Sequence, residues 1–217
     1  MIPARAALDR LREGNRRFVS YVKGGEAPLS HARPVDLGRE QRPFAIVLGC
    51  SDSRVPAEIV FDQGLGDLFV IRVAGNIVAP SQVGSVEFAA SRFETRLVVV
   101  LGHSQCGAIL AAIEELQRSA DLQSPNLRSI VDRVRPSVEG LLHTELRHDA
   151  DELVRQAVRA NVATSVDHLR HGSAILEELI RTEGLLVVGA EYSLETGEVH
   201  FLEDAPSSSP AAFRASD

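Results

Sequence analysis

Two apolar runs, Phe44-Ala-Ile-Val-Leu48 and Leu97-Val-Val-Val-Leu101, each end in a glycine followed by residues able to ligate or react. The first opens into Gly49-Cys50-Ser51-Asp52-Ser53-Arg54, the second into Gly102-His103-Ser104-Gln105-Cys106-Gly107. Runs that are apolar throughout, rather than alternating, mark strands covered on both faces, as in a parallel sheet. Parallel strands side by side bring both clusters to one end of the sheet, the crevice where open α/β sheets place their chemistry.

Cys50 and Cys106 are the only cysteines in the 217 residues. Two thiolates and an imidazole form a soft set that suits zinc with one tetrahedral position left over, the composition of a catalytic rather than a structural site. Other readings use the same residues. Cysteines also serve as small buried hydrophobes, or the pair could form a disulfide. A Cys-x-x-Cys redox motif is absent.

Taken together, the two clusters resemble the signature of the β-class carbonic anhydrases, in the plant-like branch and of bacterial type. The resemblance continues through Arg72-Val-Ala-Gly-Asn76, Gly84-Ser-Val-Glu-Phe88 and Val188-Gly-Ala-Glu-Tyr192 and covers roughly residues 5 to 203. It implies zinc held by Cys50, His103 and Cys106, and reversible hydration of carbon dioxide to bicarbonate and a proton. Asp52 would accept a hydrogen bond from the reacting water and be held by a two-pronged contact from Arg54; released, it would become a fourth metal ligand and close the site. Gln41, nine residues before Cys50, would steady a substrate oxygen, and the N–H of Gly107 would meet bicarbonate at a helix start. Phe69, Ala74 and Phe88 would wall the carbon dioxide pocket. Two thiolates offset the metal's charge, so activity should rise toward alkaline pH. Val47 stands where the bicarbonate-regulated branch has tryptophan, and the chain has no tryptophan, which argues against that allosteric site. Alternatives on the same scaffold are hydrolysis of carbon disulfide or carbonyl sulfide, and a non-catalytic zinc- or anion-binding homologue.

The length suits one α/β domain, here taken as residues 1–204, with a Pro-, Ser- and Ala-rich tail over 205–217 expected to be disordered. With 23 basic and 30 acidic residues the net charge is −7, which disfavours nucleic acid and anionic membranes as partners. No apolar run approaches the roughly 20 residues of a membrane span, and metal-committed cysteines point to a reducing, cytoplasmic setting.

In order, the pattern predicts an amphipathic helix near 4–22, which by resemblance is an arm reaching a second subunit in a homodimer or dimer of dimers. A loop follows over 23–43. Strands are expected at 44–48, 68–73, 97–101, 185–188 and 198–202. Helices are expected at 56–61, 82–92, 106–118 and 149–171, and at 174–182 after the cap Ser173. A helical pattern from 127 is broken near Pro136 and Gly140. The fold class is therefore α/β, a mainly parallel four-stranded sheet with an antiparallel edge strand and helices on both faces. The strand order 2-1-3-4 is carried by the resemblance.

Overall fold

The computed structural model describes residues 2–24, 41–118 and 124–202; the expected tail and most of the loop after the first helix lie outside these residues. Five strands form one sheet, β1 (Ala45–Gly49), β2 (Leu68–Arg72), β3 (Leu97–His103), β4 (Leu186–Tyr192) and β5 (Val199–Leu202), in the order β2-β1-β3-β4-β5. The first four run parallel and β5 returns antiparallel along β4.

β1 and β3 are buried at every residue, which explains their unbroken apolar sequence. Side chains alternate between the faces along each strand. Ala45, Val47, Val99 and Leu101 fill a core on one side with α1 (Ala4–Val22) and α2 (Ala57–Val60). Ile46, Leu48, Val98 and Val100 fill the other with α3 (Pro80–Arg92), α6 (Ala150–His171) and α7 (Ala174–Thr182). A third cluster joins α4 (Gly107–Arg118), α5 (Pro125–Val138) and α6 around the two cysteines.

Two strands outrun their sequence limits. β3 extends through Gly102 to His103, and β4 through Gly189 to Tyr192, because Gly102 and His103 pair with Glu191 and Tyr192. The glycines are needed there. A Cβ on Gly102 would stand 2.5 Å from Val162 Cγ2, and one on Gly189 2.8 Å from Val162 Cγ1, so both glycines make room for the same valine of α6. Pro136 does not break α5. It sits in the last turn, where few backbone hydrogen bonds remain to lose.

The first helix packs one face on its own chain. Ala7, Leu8 and Leu11 are buried against this chain's own core. Gly14 lies so close to the Phe61 carbonyl that a Cβ would collide with it. Asn15 donates to the carbonyls of Val60 and Gly197, at 3.1 and 2.9 Å, and accepts from Val199 N–H. The apolar face of α1 is thus used within the chain, while Arg5, Asp9, Arg12, Glu13 and Arg16 face outward.

Candidate metal centre

The strand ends converge as the clusters implied. Cys50 follows β1 directly, His103 is the last residue of β3, and Cys106 lies three residues on, just before α4. Their ligand atoms all lie within 4.8 Å of one another, and all three residues are buried. The sulfurs are 4.0 Å apart and both thiols are free. A disulfide needs about 2.05 Å, whereas two thiolates sharing a tetrahedral zinc at about 2.3 Å each stand roughly 3.8 Å apart.

The histidine is set for the same task. Its Nδ1 lies 2.9 Å from the Ser104 carbonyl, which can only accept, so Nδ1 carries the proton and Nε2 keeps its lone pair. Nε2 is fully buried and makes no hydrogen bond among the described residues. A buried nitrogen without a partner, facing two sulfurs, fits a metal ion and little else.

The sulfurs already divide their protons unequally. A hydrogen bond from Cys106 pulls the Cys50 thiol down to about 4 against the opposing effect of burial, helped by His103 and the Gly75 N–H. Cys106, the donor of that bond and itself buried, is pushed far up. Burial disfavours the charged form of His103, but the Cys50 sulfur and the Ser104 carbonyl outweigh it and raise its proton affinity. Cys50 is thus the sulfur that gives up its proton first.

Asp52 sits at its rim. Its Oδ1 accepts from the backbone N–H and Nε of Arg54, both at 2.9 Å, and its Oδ2 accepts from the second guanidinium arm at 2.7 Å. Chiefly through this side-chain contact, the carboxyl is held below the ordinary carboxylate range. Oδ2 also lies 3.9 Å from His103 Nε2, so the carboxylate borders the open side of the cluster.

Sequence reasoning missed three supports. Arg72 donates to the carbonyls of Cys50 and Asp52, at 3.0 and 2.6 Å, and fixes the loop between them. Glu195 accepts from Ser104, Gln105 and Ser193 at 2.8–3.0 Å, pinning the turn between His103 and Cys106. Gly75 donates its N–H to Cys50 Sγ at 3.4 Å. Arg72 and Gly75 stood within the quoted motif without an assigned contact. Nothing local to Glu195 marks its link to the site, because Ser104 and Gln105 lie some 90 residues away.

The remaining sequence candidates divide. Ala74 adjoins Gly75, and Gly107 opens α4 with open space about its Cα. Phe69 pairs with Ile46, four residues before Cys50, which places it about 13 Å down the strand at 3.3 Å per residue. It joins Phe88 and Phe93 in an aromatic group with centroids 5.6–6.2 Å apart, where Phe88 is 53% exposed. Gln41 lies before β1, at the opposite end of the strand from Cys50, lining a cavity of about 650 Å³ with Phe44, Arg92 and Thr95. Within one chain the structure does not bring Gln41, Phe69 or Phe88 to the sulfurs.

The sequence profile of the family described as carbonic anhydrase matches residues 45–199. A protein of Mycobacterium tuberculosis named carbonic anhydrase 2 is 39% identical over 88% of this chain and 89% of its own length. A carbonic anhydrase of Mycolicibacterium smegmatis is 38% identical over 89% and 91%. A solved β-carbonic anhydrase of Aspergillus fumigatus is similar in fold, with a TM-score of 0.71 and 26% identity over 91% of this chain and 89% of that one.

Proposed function

The chain belongs to the β-carbonic anhydrase family, and on that premise we propose that Cys50, His103 and Cys106 hold the zinc ion with which it interconverts carbon dioxide and bicarbonate. The observation that carries the zinc reading is the pair of free sulfurs 4.0 Å apart beside the unpartnered, buried Nε2 of His103. When bound, zinc supplies the Lewis acidity that lets water lose a proton near neutral pH.

The chain's own residues then orient and contain the reaction. Asp52, kept ionised by Arg54, can only accept a hydrogen bond, so Oδ2 turns the proton of the reacting water toward itself and a lone pair toward carbon dioxide. Arg72 keeps the Cys50–Asp52 backbone in place while this happens. The N–H of Gly107, at the positive end of α4, meets a bicarbonate oxygen, and Ala74 forms a small apolar wall.

Gln41, Phe69 and Phe88 take a substrate role only across a contact between two copies of the chain. The exposed Phe88, packed with Phe69 and Phe93 beside the edge strand β2, supports such a contact. The enzyme acts as a homodimer or dimer of dimers in the cytoplasm; among the described residues no helix is long and apolar enough to cross a membrane.

The test is metal content per subunit measured together with stopped-flow hydration. Cys106→Ser should lose both, and a strong chelator should remove both from the wild type. Asp52→Asn should retain metal and lose most turnover. A wild-type protein that hydrates carbon dioxide without bound metal refutes the assignment.

A further inference from the structure

Helix α6 carries two buried polar residues one turn apart, in a stripe otherwise made of Leu153, Ala157, Val158, Val162 and Val166. Asn161 is 2% exposed and Ser165 4%. Both reach across to the short 3-10 turn Ala74–Asn76. Asn161 Nδ2 donates to the Gly75 carbonyl at 2.8 Å, and Ser165 Oγ donates to the Asn76 carbonyl at 3.0 Å.

That turn is not one the chain adopts for its own sake. Gly75 has φ 72° and Asn76 φ 44°, two successive left-handed residues, the second carrying a Cβ. A Cβ on Gly75 would lie 3.1 Å from Ala108 Cβ, so the turn is also pressed against the start of α4. The side-chain Nδ2 of Asn76 is buried and makes no hydrogen bond among the described residues. Strained conformations persist where surrounding contacts over-determine them. What this one achieves is the direction of a single N–H, that of Gly75, at Cys50 Sγ.

We propose that Asn161 is a positioning residue of the metal centre: by holding the Gly75 carbonyl it pins the left-handed backbone of Gly75, whose own N–H, in the peptide on the other side of its Cα, bonds the Cys50 thiolate. The inference rests on the reading of Cys50 as a metal ligand. A hydrogen bond to a coordinated thiolate lowers the energy of the sulfur lone pairs, orients the sulfur and moderates the charge it gives to the metal. Asn161 supplies the right group, because a carbonyl needs a donor and the amide offers an N–H₂ from a rotamer that packing holds.

The experiment uses the full-length protein loaded with cadmium-113 for NMR and with cobalt(II) for absorption. In the wild type, the Gly75 amide proton should show scalar coupling to the cadmium nucleus through the hydrogen bond. Asn161→Ala and the milder Asn161→Ser should weaken or abolish that coupling. They should also move the sulfur-to-cobalt charge-transfer band to longer wavelength and lower metal affinity by about 10- to 100-fold. Ser137→Ala is the control. It removes a hydroxyl that bonds Thr164 on the same helix at 3.0 Å without touching the turn, and should leave coupling and band unchanged whatever it does to melting.

A wild type that takes up no metal refutes the assignment of the site itself. A wild type that loads metal through both sulfurs but shows no coupling at Gly75 overturns the inference alone. So does an unshifted band in a folded Asn161 variant. If both Asn161 variants fail to fold while Ser137→Ala folds, the contact belongs to the fold rather than to the metal, and the inference falls.

Discussion

Replacing Arg54 by glutamine separates the orientation of Asp52 from its charge. Arg54 is 52% exposed at its side chain and Asp52 17%, so the pair contributes little to folding, and the variant should fold. The backbone beneath Asp52 should also stay in place, because Arg72 holds the carbonyls of Cys50 and Asp52 independently. What is lost is the two-pronged grip on the carboxylate. Its proton affinity then rises from a depressed value toward the ordinary carboxylate range near 4, still far below neutral pH. Asp52 thus stays ionised at pH 7, and any loss of rate there comes from misorientation. By analogy with other partners that orient groups around a metal, hydration should fall about 10- to 100-fold, or roughly 1.4 to 2.7 kcal/mol of barrier. The freed carboxylate has somewhere to go, since Oδ2 already lies 3.9 Å from His103 Nε2. We therefore expect Arg54→Gln to resist a chelator longer than the wild type while turning over more slowly. Arg54→Lys should recover little, because an ammonium lacks the planar fork. Stopped-flow hydration and metal retention under chelator check both parts. A variant of near wild-type rate and unchanged metal loss refutes the reasoning.

Gly102→Ala should cost about 1–3 kcal/mol through its clash with Val162; in urea unfolding, the double variant with Val162→Ala should lose clearly less than the sum of the singles. Asp52 and Glu195 both have carboxyls held below their usual values, by Arg54 and by Ser104 respectively. Their contribution to stability is full above about pH 4.3 and is lost as pH falls through the depressed folded values. Melting temperature should therefore hold from neutral pH to about 5 and drop below about 4, with a shallower drop in Glu195→Gln, as calorimetry can show. Phe88→Glu should weaken self-association in sedimentation velocity without changing metal content.

The sheet was legible because β1 and the run Leu97–Leu101 of β3 are covered on both faces and so carry no polar residue to interrupt the pattern. Their glycine-led ends announced the ligands for the same reason: chemistry began where the apolar run stopped. The far halves of β3 and β4 were less plain, since Gly102, Gly189 and Glu191 resemble loop residues until their pairing is seen. What the buried face of α1 lies against was not legible, because an amphipathic face states that something covers it and not what. Only the contacts of Gly14 and Asn15 identify the cover as the chain's own body. Asn161 and Ser165 did leave a trace, two polar residues four apart within an apolar helical stripe, but their partner is 86 to 89 residues distant. Gln41 matched by its spacing from Cys50, yet nine residues of mostly extended chain carry it away from the sulfur.

Cys50 and His103 stand at the adjacent ends of two paired strands, with Cys106 one turn further on, so the spacing of the three is largely set by the backbone. Small metal-stapled domains collapse when stripped; this chain has a complete interior on both sides of its sheet and should not. If zinc binds there as proposed, emptying and refilling the centre requires no refolding, and the quantity of working enzyme should follow the availability of the ion more closely than the supply of folded polypeptide.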